Sequence, residues 1–196
     1  MDKLKIKISQ LFKKYGIKSV TMDDIAREFG ISKKTLYQHF KNKNDVIEKI
    51  AQLEFKTELE DLKNICHSHS NAIEQLLALS KYLANKLHNL NLSLTYDLSK
   101  YYPLIWEEFI TKRTKQISSL INQNIQTGIE QGYYQKKTKS DIITAIYMFN
   151  FVINGFESYN GLKENFDEIF NTLFVYHVRG IANNKGIKYI EKQFSV

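Results

Sequence analysis

Apolar residues recur every three or four positions along most of this chain, and that period predicts helices. Leu4, Ile8, Leu11, Phe12 and Tyr15 place an amphipathic helix over 3–15, ended by Gly16. Thr21 stands three residues before Asp24, a capping-box variant that opens a second helix carrying Ile25, Ala26 and Phe29 inward. Gly30 supplies the stop, because a residue without Cβ takes positive φ cheaply. Ser32 can cap a third helix whose Leu36 and Phe40 share one face. Asn42 caps a fourth, which runs to about Ile65 on Val46, Ile50, Leu53, Leu59 and Leu62. Further helices are predicted over 71–90, near 92–101, from Pro103 to Gln131 with Gly132 as its cap, over 140–159 and over 165–183.

The last two of these differ from the rest. Over 140–159 the apolar set, from Ile142 and Ile143 to Phe156, covers nearly the whole circumference, which a helix at a solvated surface does not show. Over 165–183 the stripe is wide. One core needs one face of each helix, so the surplus predicts a subunit interface, and a two-fold dimer is the commonest arrangement. Phe149, Ile153, Phe156, Phe166, Phe170, Phe174 and His177 are the candidate interface residues.

Composition narrows the picture. One proline and eight glycines in 196 residues leave few breaks, which suits an all-α fold. Cys66 is the only cysteine, so no internal disulfide is available and a reducing, cytoplasmic setting is expected. The lysine-interrupted N-terminus has no apolar run of the kind a secretory signal needs. No apolar stretch reaches the roughly 20 residues that span a bilayer, so no membrane association is expected. The net charge is +7, and residues 1–50 carry 12 Lys and Arg against 6 Asp and Glu, which leaves +1 for all the rest. Such concentration fits an end that meets a polyanion, although a solvated lysine-rich face gives the same sum.

The content of the third helix favours the polyanion. Two short capped helices joined by Phe29-Gly30-Ile31-Ser32 have the form of a helix-turn-helix, a form shared with any αα-hairpin. The first turn of the later helix carries Lys33, Lys34 and Thr35, with Tyr37 and His39 beyond. Lysines sit badly at the positive end of a helix dipole unless an anion lies opposite. A recognition helix enters the major groove with its N-terminal residues at base edges, where Lys and Thr can read bases. Lys43, at the start of the fourth helix, has the same oddity and is placed to clamp a phosphate.

The run from Thr21 to Val46 resembles the DNA-binding signature of the TetR family of bacterial transcriptional regulators. The resemblance rests on Thr21 followed by Ile25-Ala26, on Gly30-Ile31-Ser32, on Thr35-Leu36-Tyr37-x-His39-Phe40 and on Asn42-Lys43. It implies an all-α protein, with a three-helix helix-turn-helix DNA-binding domain over 1–45 and a larger helical ligand-binding and dimerisation domain over 46–196. It implies DNA contacts from Thr21, Ser32, Lys33, Lys34, Thr35, Tyr37, His39 and Lys43. Thr21 and Lys43 would touch phosphate, Lys33, Lys34 and Thr35 would face bases, and Tyr37 and His39 would lie on the sugar-phosphate backbone. Leu36 and Phe40 would stay in the core. Many members carry a small residue at the position of Lys34, so a lysine there stands further from the duplex or binds phosphate. The implied function is a homodimeric repressor on a palindromic double-stranded operator, released by an unknown small-molecule effector.

An effector pocket in the family lies among the middle helices. The aromatic candidates here are Tyr96, Tyr102, Trp106, Phe109, Tyr147 and Phe151, each of which could equally be ordinary core. Asn150, with Asn154, interrupts an apolar helix and needs a partner, from a ligand or from across the dimer. Cys66, His67 and His69 suggest a metal, but no second ligand pair accompanies them, so no metal and no cofactor are expected. No phosphate-cradling glycine loop, metalloprotease motif or nucleophile elbow occurs, which argues against an enzyme.

Overall fold

A computed structural model describes residues 2–148 and 166–194. Those residues form ten α-helices: α1 (Asp2–Tyr15), α2 (Met22–Glu28), α3 (Lys33–His39), α4 (Lys43–Ser68), α5 (Ala72–His88), α6 (Leu92–Tyr101), α7 (Pro103–Glu130), α8 (Ser140–Tyr147), α9 (Phe166–Ile181) and α10 (Asn184–Phe194). No strand is present among the described residues; Tyr134 and Ala182 form an isolated bridge. The chain divides into two compact units. The first comprises Met1–Glu60 and Leu90–Arg113, and the second Asp61–Asn89 and Thr114–Val196.

The core of the first unit holds Ile8, Phe12, Ile17, Ile25, Leu36, Phe40, Val46 and Ile47. Leu94 and Leu98 of α6, and Ile105 of α7, pack against it. The three-helix reading head is therefore built with α6 and the start of α7, which lie some fifty residues further along the chain. Arg113 also belongs here: its guanidinium donates from Nε and Nη2 to both carboxylate oxygens of Glu58, at 2.9–3.0 Å.

The second unit packs Leu62, Ile73, Leu76, Ile121, Ile125, Tyr134, Phe170, Phe174, Val178 and Ile190. Gly128 in α7 is dictated by packing: a Cβ there would fall inside the Tyr134 ring. Asn124 is buried and donates to the Ala72 carbonyl at 2.9 Å and to Gln75 Oε1 at 2.7 Å, tying α7 to the start of α5.

Local signals are realised closely. Thr21, Ser32, Asn71 and Asn91 each accept a backbone N–H as N-caps. Asn42 Oδ1 accepts from Asp45 N at 2.9 Å, and α7 opens at Pro103. Gly16, Gly30 and Gly132 have φ of 81°, 62° and 71°, so each stop uses a conformation that other residues enter at a cost.

Helix α10 was not anticipated. It is lysine-rich, with Ile187, Ile190 and Phe194 at helical spacing, and Asn183 Oδ1 caps it by accepting from Lys185 N and Gly186 N. The helix expected over 140–159 is described only as far as Met148, so Phe149, Asn150, Phe151, Ile153, Asn154 and Phe156 lie outside the described residues. Phe170 and Phe174 are two of the residues expected at a subunit interface. Both are fully buried within the second unit, stacked with ring centroids 6.1 Å apart, and spend their apolar surface on their own core. The exposed side of α9 carries Tyr176, at 76% exposure.

Candidate nucleic-acid interface

The reading head is assembled from its caps inward. Thr21 donates to Asp24 Oδ2 from its backbone N at 2.9 Å and its hydroxyl at 2.6 Å, and its Oγ1 accepts from Asp24 N at 3.1 Å. These bonds, with the Arg27 charge nearby, hold the Asp24 carboxyl below its usual range. The box closes the N-terminus of α2 and leaves Thr21 exposed. At the other end Gly30 turns the chain, and Ile31 N reaches back to the Ala26 carbonyl at 3.0 Å. Thr21→Ala is expected to lower stability by about 1 kcal/mol in thermal or urea unfolding; an unchanged midpoint would show that the cap is dispensable.

Ser32 Oγ accepts from Thr35 N at 3.0 Å and lies 2.8 Å from Thr35 Oγ1, so both hydroxyls are fixed at the start of α3. Leu36 turns into the core, while Lys33, Lys34 and Tyr37 are exposed and Thr35 and His39 half-buried. The expected DNA-facing residues of α3 are thus exposed or half-buried, while Leu36 and Phe40 are covered by the core. Lys33 is paired with Asp23 at 2.7 Å, and both side chains are mainly solvated.

Lys43 is the exception. It is half-buried, and its Nζ donates to the Lys18 carbonyl at 3.3 Å. Burial pushes its pKa down, partly offset by Asp97 and Asp24. A lysine expected to project at phosphate is folded back against the α1–α2 turn.

Sequence reasoning missed the bracing of that turn. Asp97 of α6 is buried and accepts from Lys18 N at 3.0 Å. Lys18 Nζ donates to Tyr101 Oη at 3.0 Å and sits 4.5 Å from the centre of its ring. The lone acid among the apolar positions of α6 was the available clue, but its partner lies 79 residues away.

The aromatic ligand candidates separate. Trp106 and Phe109 stack with centroids 6.3 Å apart and line a cavity of the first unit. Tyr102 packs at the edge of the same core. Tyr96 is 54% exposed beneath Lys100, and Tyr147 is buried in the second unit. His177 is half-buried beside Tyr147, with centroids 5.8 Å apart, and Phe166 opens α9. His67 and His69 turn Nδ1 to the carbonyls of Lys63 and Ile65, and among the described residues no group of three His, Cys, Asp or Glu side chains is placed to hold a metal. No helix of the described residues is long and apolar enough to cross a membrane.

Residues 8–50 match the family model described as bacterial regulatory proteins, tetR family. The HTH-type transcriptional regulator YhgD of Bacillus subtilis is 28% identical over 129 residues, 62% of this chain and 64% of YhgD. YvaF of the same organism is 27% identical over 58% of this chain and 62% of its own length, so the chain spans less than two thirds of either relative. Among solved structures, a regulator of the TetR/AcrR family from Thermobifida fusca shares the fold with a TM-score of 0.67 at 22% identity, covering 91% of this chain and 96% of that one. FadR of Bacillus subtilis, solved in complex with stearoyl-CoA, has a TM-score of 0.65 at 17% identity over 91% and 97%. The capped helix-turn-helix and its basic third helix lie within the match over residues 8–50, so this part of the chain is similar to the tetR family of bacterial regulatory proteins.

Proposed function

We propose that the protein binds a palindromic operator as a homodimer and represses transcription until a small-molecule effector releases it. The observation that carries this reading is the exposure of Lys33, Lys34 and Tyr37, with Thr35 half-buried beside them, on a short helix that Leu36 anchors in the core. The Lys33–Asp23 pair is solvated, and pairs of that kind contribute at most about 1 kcal/mol, so Lys33 can exchange the carboxylate for guanine O6 and N7 at small cost. Lys34 and Tyr37 reach the strand backbone beside it. Lys43 leaves its long bond to the Lys18 carbonyl for a phosphate, where it regains full hydration or a stronger anionic partner. Asp97 keeps the α1–α2 turn in place while Lys43 does so.

Pairing of two copies would present two recognition helices to half-sites about 34–36 Å apart, or a multiple of one helical turn. The surface that supports pairing is the exposed apolar side of α8 and α9: Ile142, Ile146 and Tyr176. An effector acts only through a difference in affinity between the DNA-binding and the released conformation.

The test is an electrophoretic shift with the DNA upstream of the protein's own gene, repeated across salt concentrations. Lys43→Ala is expected to weaken binding to all duplexes alike and to flatten the slope of log affinity against log salt by about one unit. Lys33→Ala is expected to change base preference at one position of each half-site. Unchanged binding by both variants would remove this face of the head from the DNA contact.

A further inference from the structure

We infer that the first unit itself holds an effector site, and that it takes a small uncharged molecule with an aliphatic end and a hydroxyl at the other. This deepens the regulatory reading above and rests on it for its consequence at DNA. The cavity measures about 50 Å³ and is bounded by α1, α4, α6 and α7. Its wall is apolar on nearly every side: Phe12, Ile50 and Ala51 from α1 and α4, Leu98 from α6, and Trp106 and Phe109 from α7. An apolar space of this kind is poorly hydrated, and an alkyl end entering it gains the contacts the lining lacks. The volume admits a chain end and no more, so the rest of the molecule stays toward the opening.

The polar groups of the lining side chains are those of Ser9 and Glu54 and the indole N–H of Trp106. Ser9 Oγ donates to Glu54 Oε1 at 2.9 Å, and Lys13 Nζ stands 3.2 Å from the same oxygen. A carboxylate has about four lone-pair sites, so Glu54 retains capacity for a further donor. A hydroxyl supplies that donor. A carboxylate head would face Glu54 as a like charge and would have to draw Lys13 away from it. The site therefore selects alcohols over acids of equal chain length. Because α1 and α4 are walls of the cavity and share a core with Leu36 of α3, an occupant bears directly on the placement of α3.

Trp106 is the only tryptophan of the chain and lines the cavity, so its emission reports occupancy without a label. The probes are 1-hexanol and hexanoate. Hexanol is expected to shift Trp106 emission saturably, and hexanoate to require at least about tenfold higher concentration. Ala51→Leu, which fills the space, is expected to abolish the hexanol response with the helical circular dichroism retained. Glu54→Gln is expected to bring the two probes to within about threefold, because it removes the like charge while keeping an acceptor. A linear, non-saturating shift, a response that survives Ala51→Leu in a folded protein, or equal affinity of the two probes for the unaltered protein would overturn the inference. The DNA arm is read separately: saturable hexanol binding by a protein that ignores its upstream DNA would leave the site standing and remove the operator reading, whereas a DNA shift with no hexanol response would do the reverse.

Discussion

Phe174→Ala is expected to lower the stability of the second unit by about 3–5 kcal/mol, the range for truncating a buried aromatic side chain. Phe174 has no exposed surface, and it stacks on Phe170 within a cluster that includes Leu76, Ile121 and Val178. Removing the ring leaves a cavity in the middle of that cluster, and rigid neighbours on α5, α7 and α9 close it only in part. Phe174→Glu adds the burial of an unpaired carboxylate and is expected to prevent the unit from folding. Tyr176→Asp, two residues along the same helix, is the control that separates core from interface. Its ring is exposed, so urea unfolding of the dilute protein is expected to change by no more than about 0.5 kcal/mol. If α8 and α9 pair two copies, light scattering then shows the dimer weakened by Tyr176→Asp. A Phe174→Ala variant with the parent's unfolding midpoint would contradict the core assignment, and a dimer unaffected by Tyr176→Asp would move the interface elsewhere.

Arg113→Met is the second large effect. Glu58 and Arg113 are 10% and 15% exposed at their side chains, and three hydrogen bonds join them. Removing one member of a buried pair leaves a desolvated charge and costs about 3–5 kcal/mol, far more than the pair itself contributes. The double variant Arg113→Met with Glu58→Leu is expected to recover most of that loss, because no orphaned charge remains. Urea unfolding of the two single variants and the double gives the coupling directly. A loss below about 1 kcal/mol in Arg113→Met would place the pair with solvated ones. The pair also fixes α7 against α4 in the first unit, so a folded Arg113→Met protein is expected to bind DNA with reduced affinity.

The reading head was legible in the sequence because its determinants are local. Thr21 and Asp24, Ser32 and Thr35, and Asn42 and Asp45 act over three residues, and Gly16 and Gly30 act at their own φ. Leu36 and Phe40 declare the buried positions of α3, and Lys33, Lys34 and Tyr37 are left to solvent. The aromatic pocket candidates were less legible. Periodicity shows that Tyr96, Trp106 and Tyr147 are helical, but not which helices meet, and the fold places them on a surface, at a cavity and in a separate core. The stripe that holds Phe170 and Phe174 is read in the same way: an apolar stripe states that a face is covered, and not whether its own chain or a second copy covers it.

The sequence by itself determined the helices before α10, the caps and stops of the first seven, and the lysines at the start of α3, since each follows from the chemistry of residues a turn or less apart. Only the tertiary structure decided that Lys43 folds back on Lys18, that Asp97 braces the α1–α2 turn, that Glu58 meets Arg113, and that α1, α4, α6 and α7 leave a cavity between them. Those contacts join residues 25 to 79 positions apart, and such pairings depend on how helices pack, a property of the assembled chain that no local pattern encodes.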